Sequence, residues 1–82
     1  MPRKPCSHID CHIGACIRLR RVELGISRTT LGETIGISYQ QVQKYEQGTN
    51  RIAAALLFDI ACLLQMPISY FYEGLKPWTD RP

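Results

Sequence analysis

The stretch RTTLGETIGISYQQVQKYEQ, residues 28–47, decides how this chain folds. It reads as two short helices meeting at a steep angle around a three-residue turn. Ser27 can cap a helix over Arg28–Ile35, and Gly36 ends it. Ser38 can cap a second helix over Tyr39–Gln47, with Gln41 in the capping-box position and Gly48 after its end. A crossing of this kind imposes steric demands. Gly32 sits where the helices cross, where a side chain larger than Ala would hold them apart. Gly36 takes the positive φ of the turn's first residue without a Cβ clash. Ile37 plugs the angle between the helices, while Leu31 and Ile35 face Val42 and Tyr45. An αα-hairpin that merely packs would satisfy the same demands, so this window alone leaves a packing unit and a binding unit both open.

Working outward, helix punctuation is dense and strand signals are nearly absent. A basic, Pro-containing arm fills residues 1–9, and Asp10 is the expected N-cap of a first helix from Cys11 to Leu24, closed by Gly25. Ile13, Ile17 and Leu24 form its apolar stripe, with Arg18, Arg20, Arg21 and Glu23 on the wet side, Arg21 being the exception if it pairs as described below. After the polar loop Thr49-Asn50-Arg51, a fourth helix is expected from about Ala53 to Leu64, with Leu56, Ile60, Leu63 and Leu64 in the core. Pro67 introduces a short fifth helix, Ile68 to Glu73, stopped by Gly74. The expected organisation is an arm (1–9), a single all-α domain of five helices (10–74) and a tail (75–82) holding the one tryptophan, Trp78.

Length and composition agree with that reading. A chain of 82 residues builds one domain with a modest core, and an apolar content of 45% is ordinary for a globular protein. The longest apolar run, Ile52 to Leu64, is interrupted by Asp59 and is too short to span a bilayer. No apolar signal segment follows the basic N-terminus, so a cytoplasmic location is expected and a membrane partner is not. The formal net charge of +3 tilts toward an anionic partner without deciding it. Nothing else looks secreted, so the four cysteines are expected as reduced thiols, with Cys16 and Cys62 as small core residues. On a helix Cys11 and Cys16 would point about 140° apart and could not share a site.

Beyond the crossing itself, the chain resembles the phage-repressor-like, Xre-type helix-turn-helix family of transcriptional regulators. IRLRR at residues 17–21 and LGIS at 24–27 look like the family's first helix and the entry to its second. GISYQQVQKYEQGTNRI at 36–52 looks like its recognition helix and following loop, and MPISYFY at 66–72 like its last helix. The resemblance covers about residues 12–74 and implies a compact five-helix, lambda-repressor-like DNA-binding domain with the helix-turn-helix at helices 2 and 3. There are departures. Arg28-Thr29-Thr30 stands where the family commonly has Gln and an acidic residue, Gly32 replaces the commoner Ala, and Ala53 takes the place of a polar cap on the fourth helix.

The chemistry this implies is double-stranded operator DNA read in the major groove, by a repressor in preference to an activator. The first turns of a recognition helix face base edges, here Tyr39, Gln40, Gln41, Gln43 and Lys44. Gln40 is the leading candidate, because its amide can pair bidentately with adenine N6 and N7. Phosphate contacts are expected on either side, from Ser27 and Arg28 at the start of helix 2 and from Thr49, Asn50 and Arg51. The resemblance further implies a structural ion pair between Arg21 and Glu46. Because operators of such proteins are usually twofold symmetric, a homodimer is expected. Leu57, Phe58, Tyr70, Tyr72, Leu75 and Trp78 either pack back on their own domain or form the subunit contact, and the contact is favoured.

Rival readings exist. Cys6, His8, Cys11 and His12 could hold zinc in a metal- or thiol-responsive regulator, but no Cys-x2-Cys pair is present, so no metal, cofactor or small-molecule ligand is expected. A DNA-binding antitoxin or phage accessory protein would act through a protein partner. An enzyme is not expected, since no Ser/His/Asp set, paired carboxylates or phosphate-cradling glycine loop occurs.

Overall fold

The computed structural model describes residues 7–76. Four α-helices, α1 (His8–Glu23), α2 (Arg28–Ile35), α3 (Tyr39–Gln47) and α4 (Ala54–Leu63), are followed by a 3-10 helix, Ile68–Tyr72. No strand occurs among the described residues. The expected short fifth helix is present as a 3-10 helix, which suits a five-residue segment between Pro67 and Gly74.

The first helix starts three residues earlier than expected. Ser7, not Asp10, is its N-cap, and the two residues close a capping box: Asp10 N–H donates to Ser7 Oγ at 3.1 Å and Ser7 N–H donates to Asp10 Oδ2 at 3.4 Å. The extension brings Ile9 onto the core. Ser27 and Ser38 cap α2 and α3 as read from the sequence. Ala53 offers no side-chain cap to α4.

Ile13, Ile17, Leu31, Val42, Leu57, Ile60, Ala61, Leu64 and Phe71 form one buried core drawn from all five elements. Phe71 and Leu64 are fully enclosed, so the short 3-10 turn acts as a plug, and truncating Phe71 to Ala would cost about 3–5 kcal/mol. Two expectations are corrected in α4. Leu57 lies in the core and not on an outer contact surface, and Cys62 is exposed. Leu57, Ile60, Ala61 and Leu64 share the inward stripe of a helix that is apolar almost all round, which leaves Ala55, Phe58 and Cys62 outside. Cys16 is half-buried, and burial together with the negative charge of Glu73 pushes its thiol up from the usual range.

Candidate DNA interface

The turn between α2 and α3 is built from backbone. Gly36 has φ +83°, and both its N–H and that of Ile37 donate to Gly32 O at 2.8 Å. A Cβ on Gly32 would lie 2.5 Å from Ile37 O, so this crossing is too tight even for Ala. Ser38 Oγ then accepts from Gln41 N–H at 3.1 Å and starts α3.

Once started, α3 divides lengthwise. Val42 and Glu46 are buried and Tyr45 half-buried on its inner side. Tyr39, Gln40, Gln43 and Lys44 are exposed, Tyr39 at 51%, so four of the five residues expected to reach bases share the solvent face. Gln41 is half-buried.

The far end of α3 is held by α1. A Cβ on Gly14 would fall 2.6 Å from Glu46 O, and one on Gly48 would fall 2.7 Å from the Cys11 Cα, so the two backbones touch at both places. Further along α1, Arg21 reaches Glu46. Arg21 Nε donates to Glu46 Oε2 at 2.6 Å, one terminal nitrogen donates to Oε1 at 3.3 Å, and the other donates to Ile26 O at 2.9 Å. Arg28 joins them, its Nε donating to Glu46 Oε1 at 2.9 Å. The Glu46 side chain is 2% exposed and the Arg28 side chain 38%. One carboxylate thus faces two guanidinium groups, and the surplus positive charge lies at the start of α2.

Of the other expected phosphate contacts, Ser27 Oγ caps α2 by accepting from Thr30 N–H at 3.0 Å, and the Thr49 hydroxyl donates to Lys44 O at 3.1 Å. Asn50 and Arg51 are exposed. Arg51 donates through Nε and one terminal nitrogen to the Asp10 carboxylate at 3.4 and 3.3 Å. Burial pushes the Asp10 carboxyl up, but hydrogen bonds from Arg51 and Ser7 outweigh it and hold the group below its usual range. Neither the Arg28–Glu46 nor the Arg51–Asp10 contact was expected from the sequence. Their partners lie 18 and 41 residues apart, and no local signal couples them.

At the start of α1, His8 is exposed and His12 Nε2 lies 3.6 Å from Cys16 Sγ. Among the described residues no three His, Cys, Asp or Glu side chains gather as a metal site requires. Cys11 is disulfide-bonded, a departure from the expectation of reduced thiols, while Cys16 and Cys62 are free. Cys6 and Trp78 lie outside the described residues. No described helix is long and apolar enough to cross a membrane.

Two capped helices, a glycine turn and a second helix with one polar edge left bare define a helix-turn-helix. Comparison with known proteins agrees. The Helix-turn-helix family model matches residues 17–71. An uncharacterized HTH-type transcriptional regulator of Sinorhizobium medicae is 51% identical over 71 residues, which is 87% of this chain and 51% of the relative. An uncharacterized transcriptional regulator in the ATPase CF(0) region of Rhodospirillum rubrum is 49% identical over 74 residues, covering 90% of this chain and 68% of its own length. Among solved structures, PlcR of Bacillus thuringiensis, crystallised with the peptide PapR7 and DNA, is similar at TM-score 0.71 and 32% identity over 83% of this chain and 24% of PlcR. The chain belongs to the Xre-like helix-turn-helix family of transcriptional regulators. It spans about half the length of the Sinorhizobium and Rhizobium relatives it matches.

Proposed function

We propose that the chain binds double-stranded operator DNA as a homodimer, reads the major groove with the outer edge of α3, and represses transcription. The observation that carries this reading is the exposure of Tyr39, Gln40, Gln43 and Lys44 on one face of a helix whose other face is fixed in the core. Exposed amide and ammonium groups on such an edge match the donor and acceptor pattern of a major groove. The surplus charge of the Arg21–Glu46–Arg28 group and the exposed guanidinium of Arg51 supply cations for the phosphate backbone. PlcR, a structural relative, has been crystallised with DNA, which favours the same use of the fold here.

For the homodimer, Phe58 on α4 is the leading contact residue at 58% exposure, with Tyr72 also exposed. Leu57 and the half-buried Tyr70 pack inward and are not assigned to the contact. A cytoplasmic location follows from this reading.

The test is selection of bound duplexes from a random pool, followed by comparison with Gln40→Ala. The parent chain is expected to enrich a site with half-sites about one helical turn apart. Gln40→Ala should lose preference at an adenine position and keep its affinity for unrelated duplexes. A pool that stays random for the parent chain overturns sequence-specific reading.

A further inference from the structure

Both arginines assigned to phosphates are already held by carboxylates of the chain, and the two holds differ in kind. Arg28 gives Glu46 only its Nε, and its terminal nitrogens make no hydrogen bond to any described residue. Because Glu46 is buried and shared with Arg21, that contact fixes a guanidinium with its outer edge free. Arg51 instead turns an edge of two nitrogens, Nε and one terminal, onto both oxygens of Asp10. A phosphate uses the same fork in the same way, so carboxylate and phosphate cannot both occupy it.

We propose that Asp10 is an internal competitor of DNA: it occupies the edge of Arg51 that a phosphate would take, and thereby holds the affinity of the interface below what its arginines would otherwise give. The inference rests on reading Arg51 as a phosphate contact. Asp10 cannot swing aside to yield its place. It closes the capping box of α1 and also accepts from Ser7 Oγ at 2.8 Å, and its side chain is only 10% exposed. The first turns of α1 are in turn seated by Ile9, by Ile13 and by the close approach of Cys11 to Gly48. Arg51, at 59% side-chain exposure, is the partner that moves. Even a phosphate arriving on its remaining nitrogen would meet a like charge a few ångströms away, since Asp10 is ionised at neutral pH. Asp10 therefore weakens binding on every sequence alike and reads no base.

The full chain is titrated against a mixed-sequence duplex two helical turns long, by fluorescence anisotropy across a salt series. Asp10→Asn keeps the shape of the residue and removes its charge. Binding should tighten about three- to tenfold, and the slope of affinity against salt should steepen by about one. Arg51→Ala added to Asp10→Asn should cancel that gain. Arg51→Lys leaves the capping box intact, keeps the cation and cannot make the two-nitrogen hold, so it should bind at least as tightly as the parent. It decides the matter if Asp10→Asn fails to fold by circular dichroism. If Asp10→Asn does not tighten binding while Arg51→Ala weakens it, the competition is wrong and the phosphate contact stands. Arg51→Lys binding as weakly as Arg51→Ala would mean that Asp10 aims the guanidinium, which also overturns the competition. If Arg51→Ala changes nothing in the Asp10→Asn background, the phosphate reading of Arg51 falls and the inference falls with it.

Discussion

The two ends of α3 do opposite jobs. From Tyr39 to Lys44 most side chains stand in solvent, and that end is held by the Ser38 cap, the Gly36 turn and the buried Val42. From Tyr45 to Gly48 the helix is gripped by α1, backbone against backbone at Gly14 and Gly48, and through Glu46 by Arg21 of α1 and Arg28 of α2. A helix of nine residues does not persist in water by itself. Its exposed end is rigid because its other end is not free, and the division leaves recognition residues open to change without loss of the fold.

The sharpest way to break this contrast is at the gripped end. Glu46→Ala leaves Arg21, 8% exposed, without its carboxylate, and is expected to cost about 3–5 kcal/mol of stability. Urea denaturation measures it. A loss under about 1 kcal/mol would mean the ion pair is only incidental to the grip. Next in size is the turn: Gly36→Val forces a β-branched residue to φ +83° and should lower stability by about 1–3 kcal/mol in the same assay.

At the open end the effects should move from stability to binding. Gln40→Ala should leave stability within about 0.5 kcal/mol of the parent, and cost about 1–3 kcal/mol of discrimination at a single base pair. Arg28→Ala should weaken specific and random duplexes in similar proportion and flatten the salt slope by about one. An effect confined to one base pair would make Arg28 a reader of sequence.

The smallest expected effect belongs to the pH response of Asp10. Its folded pKa lies below the ordinary Asp value of 3.8, so its contribution is present above that value and is lost as pH falls through the lower folded value. Asp10→Asn should therefore flatten the acid limb of the stability curve below the usual Asp range and leave the neutral region nearly level. An acid limb as steep as the parent's would remove Asp10 from the titration.

What could be read beforehand follows the range of the forces involved. The α2–turn–α3 unit was legible because its requirements are local: a hydroxyl one residue before each helix, a glycine at positive φ, and small residues at a crossing. The start of α1 was misread although its signal was present. Ser7 and Asp10 have capping-box spacing, but Asp10 alone also looks like a cap. In α4 the apolar run from Ile52 to Leu64 carries no contrast, so periodicity could not tell Leu57 inside from Cys62 outside. Beyond the Arg21–Glu46 pair that the resemblance implied, the approach of α1 to α3 had one local trace, a glycine in mid-helix at Gly14, where Ala would be favoured by about 0.5–1 kcal/mol unless something lies close. The partners of Arg28 and Arg51 had none, since Glu46 and Asp10 are brought to them only by the tertiary fold.

Two aromatic residues, Tyr39 on the outer edge of α3 and Phe58 on the face of α4 assigned to the subunit contact, allow the central claim to be tested in one experiment. Hydroxyl-radical footprinting of the chain with and without a selected duplex should show Tyr39 oxidised freely alone and strongly protected on DNA, while duplex addition leaves Phe58 as it was. Tyr39 reacting equally in both states, on a duplex shown to be bound, would contradict the account, because the outer edge of α3 would then not be the surface that meets DNA.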